Sequence, residues 1–591
     1  MKSPLRSPTN LLLCCIILLT STVLLVHFTA RPHYADYIPD FISRPSDHDT
    51  TALVAEGPRL PDEYKRYYPT LTLPAALLVH PELYSKLYDF LSRPALDWYA
   101  AKDLNEAKCP RDLSDRLVNP DQLNGDGDFW RNDVTPEVIR QKRVDLVDHL
   151  AGLVSRGETV VWKTEKLEQE ELDAVNEDLG INFERKEAVS DGKIDDQDHD
   201  AKRNLGPERS RSGSRSKRGP IPTANRQGRG IVTTGGNADT TARLITLLRF
   251  LRHEYNVNLP IEIWTFPGEL PPSSPQYKEI TSEALGGQVF EIPPSYGLTK
   301  DEGAWKNFQI KGLAIALSNF KELIYLDSDN IPLRDPTYLF DTPSYTATGS
   351  GKAVFWPDLS KDHVDNAVWR IMGVPCDLDD FTFESGQIVI DKAGNNGLNM
   401  AALHLAAYMQ HEKDFWFRLC GGDKDTFRWA FVALGLPFTR ASRWATCLGQ
   451  MHGDRFCGHS ILQYELDPPA EETRQRPLFV HSNLLKHISG VRQGSTFTHI
   501  KRMNMDEYSE PTLNQAHMWV YWDNARGMCT DLELRDEGAG LTEAEKKTQT
   551  VLSRRVDEMH GKPLEGFEDT FFRQGGRAGG WRKRDKYRIP T

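Results

Sequence analysis

From residue 230 onward the chain alternates between two hydrophobic periods, and that alternation constrains its fold more than any other feature. Gly230-Ile231-Val232-Thr233-Thr234 is a short β-branched run suited to a strand, and Gly235-Gly236-Asn237 interrupts it. Residues 242–255 then carry Leu244, Leu247, Leu248 and Leu251 at helical spacing. A second strand is predicted at Ile261-Glu262-Ile263-Trp264-Thr265-Phe266, a further helix over 309–318 and a further strand over 322–326. Strands joined through a helix run parallel, because an antiparallel pair needs only a short turn. The crossovers lay helices on the sheet faces, so the expected fold class is α/β with a parallel sheet, spanning residues 230–490.

The flanking sequence has a different texture. Residues 11–28, LLLCCIILLTSTVLLVHF, contain no Asp, Glu, Lys or Arg and are long enough to cross a thin bilayer as a helix. Lys2 and Arg6 precede them, so the positive-inside bias puts residues 1–10 in the cytosol and everything after Arg31 in the lumen. A cleaved signal peptide would want small residues at its processing site, and Phe28-Thr29-Ala30 fits that pattern poorly. A single-pass, type II transmembrane signal anchor is therefore expected.

Residues 29–164 mix helical patterns with Pro-containing breaks, as in the apolar run over 134–153 with Pro136 early, and read as a helical stem or accessory region. Over 165–229 the apolar rhythm is lost. An acidic part ending DGKIDDQDHD gives way to PERSRSGSRSKRGP, and such sequence cannot bury enough apolar area to offset its ordering entropy. This is read as a disordered charged linker, in which Lys217-Arg218 is a dibasic candidate for lumenal proteolysis. Residues 491–591 are read as a C-terminal extension with loosely held parts.

Net charge is −12, from 84 acidic and 72 basic side chains. That balance argues against a nucleic-acid partner, because neutralising phosphates needs a basic face. Apart from Cys14 and Cys15 in the anchor, Cys109, Cys376, Cys420, Cys447, Cys457 and Cys529 would meet an oxidising lumen, which favours disulfides. Cys447 and Cys457 flank one short loop and are the favoured pair. His452 and His459 raise zinc as an alternative, but the spacing matches no common finger.

The chemistry points to Lys321-Glu322-Leu323-Ile324-Tyr325-Leu326-Asp327-Ser328-Asp329-Asn330. Here an apolar strand delivers two carboxylates at its C-terminal end, where open α/β sheets place ligands. Asp327 and Asp329, split by one small residue, can hold a hard divalent cation through oxygen, although the same pair suits a solvated turn. The cation, Mn²⁺ or Mg²⁺, would neutralise a diphosphate and stabilise it as a leaving group.

At these residues the chain resembles the fungal Golgi α-mannosyltransferases that branch and extend mannan, a group with the GT-A fold. Phe308-Gln309-Ile310-Lys311-Gly312-Leu313-Ala314, Glu384-Ser385-Gly386-Gln387-Ile388-Val389-Ile390-Asp391 and Gly421-Gly422-Asp423-Lys424-Asp425-Thr426-Phe427 extend the likeness over roughly residues 229–486. The resemblance implies a GT-A-like, Rossmann-type nucleotide-sugar-binding domain, a GDP-mannose donor and Mn²⁺ dependence. It implies transfer to a mannose-terminated glycan with the α configuration retained. It also implies a Golgi membrane location with the catalytic domain lumenal, and a Golgi glycosyltransferase complex as the place to look for partners.

Similar retaining enzymes carry a late His that completes the metal site and a Lys five residues on. His481-Ser482-Asn483-Leu484-Leu485-Lys486 looks like that arrangement, and imidazole beside two carboxylates suits Mn²⁺ better than Ca²⁺. By the same likeness Lys486 would contact the diphosphate as a point charge, together with the metal-bearing Asp327. Lys311 would contact the donor from its helix, and Thr233, Thr234 and Gly235 would border base and ribose. At the anomeric carbon the candidates are Gln387, as an uncharged amide, and Glu384, as nucleophile or stabiliser of oxocarbenium charge; Gly386 between them would permit close approach to a sugar, and the same residues suit a polar turn before the strand Ile388-Val389-Ile390. Asp423 is expected to bind donor-mannose hydroxyls, and Asp425 to cap a helix over 426–434. Linkage, α-1,2 or α-1,3, stays open. So do two other readings: the same fold with a UDP-sugar donor, and a non-catalytic lumenal glycan-binding protein.

Overall fold

The structure, a computed structural model, describes residues 59–163 and 228–579, apart from 112–113, 115–117, 119, 302–306, 378–380, 473, 489–492, 502–515, 524–526 and 535–552. The expected anchor at 11–28 and the dibasic Lys217-Arg218 lie outside the described residues. Among the described residues no helix is long and apolar enough to cross a membrane.

Strands β1 (Arg229–Thr234), β2 (Ile261–Thr265), β3 (Gly287–Glu291) and β4 (Glu322–Leu326) lie parallel in the order β3-β2-β1-β4. The sheet continues through β7 (Phe381–Asp391), antiparallel to β4, then β6 (Ala353–Lys361) and the short β8 (Thr439–Arg440). Both faces are covered, which is why β4 reads as an unbroken apolar run. Its side chains alternate between two cores: Leu323 and Tyr325 enter one, Ile324 and Leu326 the other. Helices Lys311–Leu317, Leu398–His411 and Lys424–Ala433 supply the first core, and helix Ala238–Arg249 supplies the second.

Helix Ala238–Arg249 begins four residues before the apolar period does. Asn237 sets the start, its side chain accepting from Asp239 N and Thr240 N, so a polar first turn precedes Leu244. Similarly, Glu384-Ser385-Gly386-Gln387, read as a turn before a strand, lies inside β7.

A second, eight-stranded sheet contains β5 (Asn330–Pro332), β9 (Thr446–His452), β10 (Arg455–Tyr464), β11 (Pro477–His481), β12 (His499–Lys501), β13 (Ala516–Asp523), β14 (Gly527–Leu534) and β15 (Ser553–Arg555). The last four follow residue 490, so the boundary expected there falls inside a sheet. Residues 59–163 are also packed rather than stem-like. Leu146, Val147 and Leu150 of helix Pro136–Ser155 share a core with Tyr325 and Phe355. Fully buried Arg143 donates to the carbonyls of Pro94, Arg370 and Ile371, and Cys109 is disulfide-bonded to Cys376.

The favoured Cys447–Cys457 bridge does not form. In the β9–β10 hairpin Cys447 pairs with Ile461 and Cys457 with Gln450. Cys447 joins Phe456 in one apolar cluster while Cys457 joins Leu448 in another, so strand alternation points the two sulfurs to opposite faces. Cys457 bonds instead to Cys529 of β14, and Cys447 stays a buried thiol. The zinc alternative fails with it. The ring nitrogens of His459 engage Thr496 O and Ser460 Oγ, and His452 Nδ1 lies 3.2 Å from Asp523.

Candidate active site

The C-terminal end of β4 turns sharply, with Asn330 N donating to Asp327 O, and passes directly into β5. That hands the chain from the first sheet to the second. β5 pairs antiparallel with β11 and sets Asn330 opposite His481, one residue from Asp329. Asp327, Asp329 and His481 consequently offer ligand atoms that all lie within 4.8 Å of one another. His481 Nε2 is 3.2 Å from Asp329 Oδ1 and 3.7 Å from Asp327 Oδ2. Among the described residues no other group of His, Cys, Asp and Glu is arranged to hold a metal ion.

Each ligand is fixed from behind. Tyr325 OH donates to Asp327 Oδ1 at 2.7 Å, and Lys311 Nζ to Asp327 Oδ2 at 3.0 Å. Lys486 Nζ donates to Asp329 Oδ2 at 2.7 Å. Glu384 Oε1 sits 3.0 Å from His481 Nδ1 and accepts from Gly386 N at 2.6 Å. Gly386 serves this approach: a Cβ there would lie 2.6 Å from His481 Nδ1, so the glycine makes room for the imidazole rather than for a sugar.

Lys311 is buried by its helix, because Gly312 packs onto Ala407 of the neighbouring helix. Its ammonium reaches Asp423 Oδ2 at 2.8 Å and Ser385 Oγ at 2.8 Å as well as Asp327. Asp425 faces the other way. It takes no part in this cluster, and it does not cap its helix either: it lies within Lys424–Ala433, accepts from Phe383 N and pairs with Arg428. Gln387 is fully buried; its Oε1 accepts from Asn330 Nδ2 at 2.6 Å, and its Nε2 has no partner. Thr234 Oγ1 lies 3.1 Å from Tyr325 OH, Gly235 N donates to Trp264 O, and buried Thr233 has an unpartnered hydroxyl.

The electrostatics follow from burial set against neighbours. Burial pushes both metal-site aspartates up. At Asp329 it is overcome by Lys486 and His481, which hold the carboxyl well below the usual range, whereas at Asp327 burial prevails over Lys311 and His481. Burial also raises Glu384, but His481 and Lys311 bring it down to about 2. The imidazole responds in turn: burial lowers it, Glu384 and Asp329 raise it to about 10.

These donors fit a divalent cation. Asp327, Asp329, Glu384 and Asp423 set four carboxylates against Lys311, Lys486 and Arg243, whose Nε is 3.8 Å from Asp329. With His481 neutral, as a ligand must be, the cluster is one positive charge short. Two hard oxygens and a borderline nitrogen match Mn²⁺ or Mg²⁺ better than a thiolate-seeking metal.

Sequence reasoning passed over Tyr325, Asn330, Ser385 and Arg243. Tyr325 was detectable, since period-two alternation puts it on the same side of β4 as Asp327. Arg243 carried a weaker signal, one turn after the capped start of the first crossover helix.

The comparisons with known proteins bear on the same region. The family model described as "Mannosyltransferase putative" matches residues 228–381 and 376–465. The α-1,2-mannosyltransferase MNN22 of Candida albicans is 26% identical over 285 residues, 40% of this chain and 46% of that one. The α-1,2-mannosyltransferase MNN2 of Saccharomyces cerevisiae is 23% identical over 338 residues, 49% and 53% respectively. The chain thus spans about half the length of these curated relatives. The X-ray structure of the mannosyltransferase Ktr4p from S. cerevisiae aligns over 43% of this chain and 76% of that one at 14% identity, with a TM-score of 0.26, too low to carry the comparison further. Residues 228–465 of the chain are thus similar to the mannosyltransferase family that this model describes, and fungal α-1,2-mannosyltransferases are among the proteins the chain resembles.

Proposed function

We propose that the chain transfers mannose from GDP-mannose to a mannose-terminated glycan, forming an α-1,2 linkage with retained configuration on a GT-A scaffold. The observation that carries this is the meeting of Asp327, Asp329 and His481 at a strand end, braced by Lys311 and Lys486. The α-1,2 assignment follows the names of the relatives.

In this reading Asp327, Asp329 and His481 would hold Mn²⁺, which when bound supplies Lewis-acid stabilisation of a departing diphosphate. Glu384 Oε1, 3.0 Å from His481 Nδ1, stands behind the imidazole in the place of an outer-shell partner, and so faces His481 rather than the sugar. Tyr325 and Lys311 fix the two oxygens of Asp327. Lys486 stands at the edge of the site, where its ammonium can exchange Asp329 for a phosphate oxygen. Asp423, held by Lys311 and Ser385, is placed to accept from sugar hydroxyls. Gln387 supports the turn through Asn330. The acceptor hydroxyl's proton passes to the leaving phosphate oxygen, so no protein base is required on that face.

The signal anchor, lumenal orientation and Golgi setting belong to the same proposal. Residues 59–163 share a core with the sheet, so any soluble form must keep them. The test is incubation of the full chain in detergent with GDP-mannose, UDP-glucose or UDP-galactose, Mn²⁺ and α-mannobiose. Mannose transfer from GDP-mannose alone, with an α-1,2 bond in the product, is expected. Transfer from a UDP-sugar instead would replace the donor assignment, and no turnover of any donor would leave a glycan-binding protein.

A further inference from the structure

The cleft beside Asp329 has a wall that the metal cluster does not use. It is lined by Arg243, Ser328, Asp329 and Lys486, and on its far side by Gly575, Gly576 and Arg577. The last three belong to the segment that sequence reading left as a loosely held extension.

That segment is held at both ends. Helix Phe567–Arg573 is seated by Phe567 and Phe571 in the second core, and Glu568 accepts from the backbone of Ser495, Thr496 and Phe497. The chain leaving it is tied to the first crossover helix, where Arg249 Nη1 donates to Gln574 O at 2.9 Å and Glu254 accepts from Gln574 and Arg573. It then crosses to the turn after β11, where Gly579 N donates to Leu485 O at 2.9 Å. Two glycines make the crossing possible. Gly575 has φ +97°, and a Cβ on Gly576 would lie 2.4 Å from the Phe571 ring.

The two tie points are telling. One lies on the helix that carries Arg243, the other is the residue before Lys486. Residues 574–579 therefore bridge the two elements that present cations to Asp329, with Arg577 exposed between them. Arg577 forms no ion pair or hydrogen bond among the described residues. Arg243 is held by Asp239 at 2.6 Å, yet its buried Nε has no hydrogen-bond partner. Three guanidinium and ammonium groups thus converge on one cleft, and two of them retain unused donors. Planar forks with free N–H groups are suited to phosphate oxygens.

We infer that residues 574–579 form a strap across the Asp329 end of the cleft, and that Arg577, with Arg243 and Lys486, binds the diphosphate of a nucleoside diphosphate. This rests on the transferase reading and adds to it a ligand group from outside the family match.

The test is calorimetric titration of the full chain in detergent with GDP, UDP and guanosine, each with Mn²⁺, for the wild type, Arg577→Ala and Arg577→Lys. Arg577→Ala should weaken GDP binding about tenfold, the loss expected of one charge-assisted contact, while guanosine binding and the melting temperature stay as in the wild type. Arg577→Lys should recover part of the affinity. GDP affinity within about twofold of the wild type in Arg577→Ala overturns the strap's role, as does an equal loss for guanosine, which would mean a distorted fold. A wild type that prefers UDP, with the same loss on Arg577→Ala, upholds the strap while overturning the GDP-mannose assignment. Binding of neither nucleotide overturns both.

Discussion

Asp423 and Asp425 stand two residues apart, yet replacing them should fail in opposite ways. Asp425 is fully buried, accepts from Phe383 N at 2.8 Å and meets Arg428 Nη2 at 2.9 Å. Burial pushes its carboxyl up to about 7 against the pull of Arg428 and Lys424. Asp425→Ala orphans a β7 amide, a cost of about 1–3 kcal/mol. It also removes one of the two carboxylates around a buried guanidinium, which keeps Asp362. Breaking a buried pair costs about 3–5 kcal/mol, and because both losses share one side chain they do not simply add. A net loss on the order of 4 kcal/mol lowers the melting temperature of a chain this long by about 5 °C. Asp423→Ala takes one partner from Lys311, which retains Asp327 and both oxygens of Ser385. It should cost about 1 kcal/mol in stability while mannose transfer falls about a hundredfold, as for loss of a group acting on the transition state. Circular-dichroism melts and product formation from GDP-mannose measure the two effects on the same samples. If Asp425→Ala melts within about 2 °C of the wild type yet loses transfer, the assignment of the pair is reversed and the reasoning fails.

Three other outcomes follow from the same geometry. Asp329→Asn keeps the shape of the site and removes its charge, so transfer should vanish while the fold persists; activity retained in chelating buffer would refute the metal role. Gly386→Ala drives a Cβ into His481 Nδ1, so Mn²⁺ affinity, read by titration, should drop about tenfold or more with the melt little changed; unchanged affinity would show that the imidazole is not a ligand. Acidification should destabilise the fold through two buried imidazoles, a loss that Asp425, raised to about 7, offsets only in part because there the folded state takes up the proton first. Burial holds His459 down at about 4 and His149 at about 3, against an ordinary 6.5, so the unfolded chain binds protons first. Their stabilisation is whole above pH 6.5 and is lost as pH falls toward 4 and then 3, at about 3 kcal/mol for His459 alone. A melting temperature that stays level from pH 7 to pH 4.5 would contradict this.

How much of this could be read in advance depended on where each signal was stored. β4 was legible because burial on both faces writes an unbroken apolar run, and Asp327 and Asp329 end it abruptly. Strands β12 to β15 were not, because short strands parted by polar loops carry too few periods to register. Glu384-Ser385-Gly386-Gln387 was misread for a specific reason. Gly beside polar residues suggests a turn, but inside a strand it marks a close approach, here by His481. Cys447 and Cys457 were paired on sequence distance, whereas the facing of a β residue depends on parity and register.

His481 shows the limit most clearly. It lies 152 residues from Asp329, and no local pattern marks a strand-end histidine as a ligand. Resemblance alone singled it out, and the β5–β11 ladder supplies the physical reason. The family match ends at residue 465, before β11, Lys486 and the strap. Taken alone, the matched segment supplies all four carboxylates of the cluster but only Lys311 and Arg243 against them, without the imidazole of His481 or the ammonium of Lys486. Carboxylates kept this close need compensating charge, and part of it, the ammonium of Lys486, comes from beyond the match. A chain truncated near 465 should therefore lose more than a ligand: with β11 gone, β5 loses its ladder partner and the Asp327–Asp329 turn loses the strand that fixes it.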